Sequence, residues 1–213
     1  MTGSCCVAAL LVAVVCTLAG AAESATAKCI VDASTGSGAE NISGTVMFSQ
    51  PDDEGEVTIT VKLSGFNTGA TRKHGFHVHE KGDLGDACKA AGGHYNPHHK
   101  PHGAPVDVER HVGDLGNVEQ DTDGKVDTVI KDKVVSLAGE YSVIGKSIVI
   151  HEGEDDLGKG TYSDSKTTGH AGARLGCCVI IVQDTGAASR LSVHAGLLLA
   201  AVAGGVWRGL SPE

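Results

Sequence analysis

In the stretch GEVTITVKLSG, Val57, Ile59, Val61 and Leu63 alternate with Thr58, Thr60 and Lys62. A period of two puts the apolar set on one face of an extended strand and the polar set on the other, which a helix cannot do. Short runs of the same kind recur at CIVDA (29–33), GTVMFSQ (44–50), HGFHVHE (74–80), GNVEQD (116–121), KVDTVIKD (125–132), KSIVIHE (146–152) and CCVIIVQD (177–184). They make eight strands, and DTDGK (121–125) reads as a tight hairpin turn between two of them. No long amphipathic helical pattern interrupts the series. Glycine at 30 of 213 residues and aromatics at only 3% fit many tight turns around a core of Val, Ile and Leu. The expected class is all-β.

The two ends differ from the middle. MTGSCCVAALLVAVVCTLAGAAES is an apolar run closing in small residues, as in a secretory signal, so residues 1–22 are expected to be a removed leader. The next segment, 23–185, is the expected folded domain, and 186–213 a tail. Within that tail AGLLLAAVAGGVW (195–207) is too short to cross a bilayer, which takes about 20 apolar residues. Small residues at Gly186, Ala187, Ala188 and Ser189 ahead of it resemble a glycolipid-anchor signal, although the polar ending RGLSPE departs from that pattern. The tail is therefore read either as a membrane tether or as a frayed or processed end. Asn41-Ile42-Ser43 is a glycosylation acceptor for a chain that enters the secretory pathway. Removing the leader leaves Cys29, Cys88, Cys177 and Cys178 in an oxidising compartment. The formal net charge is -9, and the tail after Thr185 carries +1 (Arg190, Arg208, Glu213), leaving -10 on the middle. Nucleic acid is excluded as a partner on that balance.

Two connections, Gly82 to Val112 and Gly153 to Leu175, are too long for plain turns and hold most of the histidines, which marks them as functional loops. On the HGFHVHE strand, His77 and His79 share one face while Phe76 and Val78 take the other. His151 ends the apolar run SIVI in the same manner, ahead of the acidic EGEDDLG. The first loop adds His94, His102, His111 and Asp114, an imidazole set with one carboxylate that suits zinc, while imidazole also suits copper. On spacing alone a solvated histidine-rich loop explains the same residues.

The segments GFHVHEKGD, GGHYNP, HGAPVDVERHVGDLGN, HEGEDDLGKG and GHAGARLGCCVI resemble, in order and spacing, those of the copper/zinc superoxide dismutase family. The resemblance runs from about Lys28 to Asp184. It implies an eight-stranded Greek-key β-barrel or sandwich with two long functional loops. It also implies an enzyme that converts superoxide to dioxygen and hydrogen peroxide with one copper and one zinc ion per chain. The implied copper ligands are His77, His79, His94 and His151, and the implied zinc ligands His94, His102, His111 and Asp114, with His94 shared. The resemblance further implies Arg174 as the anion-docking cation, a Cys88–Cys177 disulfide, and Asp155 as the carboxylate linking the two sites.

Some positions depart from the family pattern. In TYSDSKTTG the loop carboxylate falls on Asp164, but its neighbour is Ser163 and the lysine position is Thr167, with Lys166 one residue earlier. Lys166 has two readings, a substitute steering charge or an ordinary solvated one. After HVHE, many dimeric relatives carry an aromatic residue where this chain has Lys81. A homodimer is still expected through the apolar Ile144-Gly145 and Val179 to Val182 segments. Cys178 cannot share the bridge of Cys177, since adjacent strand residues face oppositely; it and Cys29 read as buried small hydrophobes. His98 and His99 read as solvent-facing loop residues. Two other readings are a copper-delivery protein, which would carry a CxxC motif this chain lacks, and a non-catalytic secreted metal-binding surface protein.

Overall fold

The alternating stretch forms a strand whose four apolar residues are all buried, with Val57, Ile59 and Val61 fully so. This and all other structural features come from a computed structural model, which describes residues 24–38, 40–52, 55–69 and 71–183. The expected leader and tail lie outside the described residues. Nine strands are seen among the described residues: β1 Ala25–Val31, β2 Ser43–Gln50, β3 Val57–Ser64, β4 Lys73–His79, β5 Asp114–Glu119, β6 Lys125–Asp132, β7 Ser147–His151, β8 Arg174–Val179 and β9 Ile181–Val182. Among the described residues helix is confined to a 3-10 turn at Lys89–Ala91 and one α turn, α1, at Ser165–Thr168.

The strands form two antiparallel sheets, ordered β6-β3-β2-β1-β9 and β5-β4-β7-β8. β7 returns from the other side of the molecule to lie beside β4, the Greek-key connection that the family resemblance implies. The core lies between the sheets, with Phe48, Phe76, Ile59, Ile148, Ile150 and Leu175 among its largest fully buried side chains. Truncating one of its phenylalanines to alanine costs about 3–5 kcal/mol at such sites.

Two details differ from the sequence reading. CCVIIVQD is not one strand, because at Ile180 the backbone pairs with the Gly145–Lys146 turn (Ile180 N to Lys146 O 2.8 Å, Gly145 N to Ile180 O 2.8 Å). The chain thereby leaves one sheet as β8 and enters the other as β9, so eight expected runs become nine strands. At DTDGK the turn does form, with Asp121 N bonded to Lys125 O at 2.8 Å. Its flanking strands belong to different sheets, so it closes a corner between the sheets and not a paired hairpin.

The reading of Cys29 and Cys178 as unbridged hydrophobes is overturned. They form a disulfide inside the main core, joining β1 to β8, while Cys88–Cys177 ties the first long loop to the same strand. The opposite facing of neighbouring strand residues holds: Cys177 points outward to the loop beside Val149 and Ala91, and Cys178 inward to Cys29. The sequence could not supply the partner, because Cys29 meets Cys178 only when the two sheets stack.

Replacing both Cys29 and Cys178 by alanine is expected to lower stability by about 2–4 kcal/mol, since a crosslink over a long loop restricts the unfolded chain. Denaturant unfolding with a thiol titration checks this. Two free thiols in the non-reduced wild type would refute the bridge.

Candidate metal centre

β4 delivers its alternate residues to two environments. His74, Phe76 and Val78 face inward, His74 stacking on Phe66 with ring centroids 4.5 Å apart. His77 and His79 face the long loops, both buried. The β4–β5 register slips between Gly75 and His77, and the β7–β8 register slips between Ile150 and His151. Each slip falls beside a histidine of the site, His77 within β4 and His151 at the end of β7, a common place for bulges. His94 reaches the same place from the loop, through a single bridge to His79.

Two overlapping ligand sets result. The candidate ligand atoms of His77, His79, His94 and His151 lie within 4.8 Å of one another, as do those of His94, His102, His111 and Asp114. His94 belongs to both. Asp155 joins the sets from outside, accepting from His77 Nε2 and from His102 Nε2, both at 2.8 Å. Its backbone is clamped by Asn117, whose side chain exchanges hydrogen bonds with Asp155 N (2.8 Å) and O (2.9 Å). Gly169 has a positive φ of 65°, and a Cβ there would collide with Asp155 Oδ1 and His102 Nε2. Only glycine lets that segment close over the carboxylate.

The hydrogen bonds assign the imidazole protons, because a carbonyl or carboxylate can only accept. His79 Nδ1 donates to Gly92 O (2.9 Å) and His151 Nδ1 to Gly172 O (3.2 Å), which leaves both Nε2 atoms as bare lone pairs only 3.3 Å apart. His77 Nε2 is used by Asp155, so its buried Nδ1 has no partner, and His94 Nε2 is equally orphaned. In the second set, His94 Nδ1, His111 Nδ1 and His102 Nδ1 lie 2.9, 3.0 and 3.0 Å from Asp114 Oδ1. His102 Nδ1 is near that oxygen but off the hydrogen-bonding line, so it too lacks a partner. Buried lone pairs aimed at one another are costly unless a cation sits among them. The residues therefore fit two metal ions. Four imidazoles suit copper, and three imidazoles with one carboxylate suit zinc.

The electrostatics agree. Burial, reinforced by neighbouring imidazoles, holds His77 and His79 well below the ordinary histidine range and pushes His151 down to about 3. These rings are neutral at pH 7, as metal ligands must be. Burial also opposes charge on His102, but the carboxylates of Asp114 and Asp155 outweigh it and push that group up to about 9. Asp114, buried among three histidines that hydrogen-bond or face it, lies well below the usual carboxylate range.

Arg174 opens β8, and its guanidinium is fixed by three carbonyls: Cys88 O (2.6 Å) and Lys89 O (3.4 Å) on Nη1, Gly92 O (2.7 Å) on Nη2. Gly92 O thus takes a proton from Arg174 and another from His79. The Cys88–Cys177 bridge pins the loop that carries these carbonyls. Of the histidines in the first loop, His98 stacks near Tyr141 (4.6 Å) and belongs to neither ligand set, nor does His99.

Two supporting residues escape a sequence reading. Buried Arg110 donates to Pro105 O (2.6 Å) and to Asp132 Oδ2 (2.7 Å), anchoring the His102–His111 loop to the end of β6. By sequence it looks like a solvated charge beside Glu109, and only its burial shows otherwise. Asn117 sits on a strand with no local hint that its amide clamps Asp155, 38 residues away.

Comparison with known proteins agrees with this geometry. A sequence profile described as Copper/zinc superoxide dismutase matches residues 42–180. Superoxide dismutase [Cu-Zn] of Yarrowia lipolytica is 51% identical over 143 residues, covering 67% of this chain and 92% of that protein. Extracellular superoxide dismutase [Cu-Zn] of Caenorhabditis elegans is 57% identical over 121 residues, 56% of this chain and 55% of that longer relative. A crystal structure of the clock protein EA4 matches with TM-score 0.67 and 40% identity, covering 75% of this chain and 95% of that one.

The metal-free protein is expected to be most stable near pH 6.5. His151, depressed to about 3, leaves the unfolded chain binding more protons as pH falls below 6.5, so stability is lost from 6.5 towards 3. His102, raised to about 9, has the opposite sign: its contribution is lost as pH rises from 6.5 through 9. Urea unfolding in a chelator across this range checks both arms, and a flat profile contradicts them.

A profile match over more than half of the chain, together with two joined ligand sets of the right chemistry, means that this chain belongs to the copper/zinc superoxide dismutase family.

Proposed function

We propose that the chain dismutes superoxide, turning two superoxide anions and two protons into one dioxygen and one hydrogen peroxide. The observation that carries this reading is the shared Gly92 carbonyl. It orients His79 in the first ligand set and at the same time holds Arg174 beside it. A protein that merely stored metal would have no use for an arginine fixed there, which disfavours the non-catalytic alternative.

We assign His77, His79, His94 and His151 to copper and His94, His102, His111 and Asp114 to zinc, on the donor chemistry argued above. When bound, copper supplies a one-electron couple, and zinc, which has no redox chemistry, supplies fixed charge. The chain's own groups do the rest. Arg174 presents planar donors that dock a small anion. Its three carbonyl contacts keep the guanidinium from collapsing onto a carboxylate. Asp155 holds the proton on Nε2 of His77 and of His102, so that both rings turn Nδ1 inward. His94 Nε2, buried and without a protein partner, is the atom at which we place the proton passed to the departing peroxide. Burial holds His77, His79 and His151 well below the ordinary histidine range, so these rings do not compete for that proton.

Three similar proteins, from Caenorhabditis elegans, Haemonchus contortus and Drosophila melanogaster, are named extracellular superoxide dismutases. With the apolar leader 1–22 and two disulfides, this supports secretion. Asn41, exposed ahead of β2, is the proposed glycan site, and the tail 186–213 a proposed tether to the cell surface. No helix among the described residues is long and apolar enough to cross a membrane. A homodimer is proposed through the apolar Ile144-Gly145 and Val179 to Val182 segments, where Ile181 and Val182 are exposed and Gly82 packs against Gly145 and Val179.

The purified mature protein is expected to hold one copper and one zinc per chain and to dismute superoxide. Arg174→Ile is expected to lower the rate on the order of tenfold, since the cation acts on capture and docking. Absence of copper would sink the assignment, and an unchanged Arg174→Ile rate would sink the docking role.

Expression in a secretory cell tests the placement. The protein should leave the cell or sit on its surface, with surface material freed by deleting 186–213. Sedimentation should give a dimer mass that drops on glycosidase treatment and in Asn41→Gln. Material that stays inside the cell, or sediments as a monomer with no glycan, contradicts the corresponding part.

A further inference from the structure

Arg174 is not the only cation at its depression. A surface hollow of about 380 Å³ is lined by Ser37, Ala87, Lys89, Gly172, Ala173 and Arg174. Its wall is part of the metal centre, since the carbonyl of Gly172 accepts from His151 Nδ1. Lys89 lines it as well, from the segment whose Cys88, Lys89 and Gly92 carbonyls hold Arg174.

Three observations separate Lys89 from an ordinary surface lysine. Its backbone is fixed: it starts the 3-10 turn after Cys88, which is left-handed at φ 67° and bridged to Cys177. Its charge is uncompensated: exposed Lys89 makes no ion pair among the described residues, and of the other lysines without one, Lys28, Lys133, Lys146, Lys159 and Lys166, none lines this hollow. Third, Arg174 aside, the second long loop does not line this hollow with a cation. Lys166, left with two readings by the sequence, has its ammonium against Gly158, close to where a Cβ there would stand, and its carbonyl accepts from His102 N. Asp164 in that loop pairs with His170 at 2.8 Å. An acidic group borders the hollow too, since Glu152 Oε2 lies 3.8 Å from where a Cβ of Gly172 would stand.

We infer that Lys89 is a steering residue for the anionic substrate, forming with Arg174 a two-cation mouth that raises the capture rate of a small monovalent anion by a domain that is itself acidic. This rests on the dismutase reading for its substrate. The physics is local: at about 0.1 M salt exposed charges are screened beyond about 10 Å, so one lysine at the entrance counts for more than carboxylates farther off. Lys89 touches no reacting atom in this role, and it acts on encounter alone.

The test is the second-order rate of superoxide loss with metal-loaded wild type, Lys89→Gln and Lys89→Arg, measured over a range of ionic strength. Lys89→Gln should be about two- to threefold slower at low salt, with a shallower salt dependence, and should converge on wild type as salt screens the field. Lys89→Arg should restore both rate and slope, with metal content unchanged throughout. A rate and slope equal to wild type overturn the inference. So does a loss of equal size at all ionic strengths, which would mark a structural role. If wild type itself is inactive, the dismutase reading fails separately. Calorimetry with inorganic phosphate then decides on Lys89, and equal phosphate affinity of wild type and Lys89→Gln overturns it.

Discussion

The carboxylate of Asp155 is the constraint on which the centre depends. It accepts one hydrogen bond from His77 and one from His102, and so decides which nitrogen of each ring is left to face inward. An aspartate with fewer supports would rotate, and either ring would then lose its preferred tautomer. Here Asn117 grips its backbone on both sides, and Gly169 closes over it where no side chain fits. A group outside both ligand sets thus orients one ring of each. That coupling is why the two sites behave as one centre joined at His94.

The scaffold bears the cost of this arrangement in a consistent way. Two antiparallel sheets bury a continuous apolar core, and the histidines lie where strands slip register, at the edge of that core. The long loops are then held by few but strong ties: Cys88–Cys177, the buried Arg110–Asp132 pair, and the carbonyl contacts of Arg174. Breaking a buried ion pair from one side leaves an uncompensated charge, so the Arg110–Asp132 tie makes the His102–His111 loop intolerant of substitution at either partner. The second bridge, Cys29–Cys178, crosslinks the sheets inside the core and leaves the loops alone. Sheet pairing and site geometry are therefore secured by separate crosslinks on neighbouring residues.

Charge is distributed by the same logic. The domain is acidic as a whole, yet the hollow beside the ligand sets holds Arg174 and Lys89. An anion responds to the local potential within about a Debye length more than to net charge at a distance. Holding Arg174 by carbonyls, and not by a carboxylate, preserves its full charge for a ligand. The same carbonyls belong to the segment that presents Lys89.

The sequence by itself determined the period-two strands, the opposite facing of His77 and Phe76, and, by resemblance, the residues that gather at the metal centre. Those properties are local, because alternation and motif spacing are written along one strand or loop. Tertiary structure decided what depends on two distant segments meeting. Cys29 finds Cys178 only across stacked sheets, and CCVIIVQD divides at Ile180 only because the Gly145–Lys146 turn competes for its backbone bonds. Arg110 becomes an anchor once Asp132 is buried against it, and Lys89 a cation of the mouth once the bridged loop lines the hollow with Gly172. A side chain's type is encoded at its own position, but its partner is set by packing, and packing is where this chain turns scattered histidines into one centre.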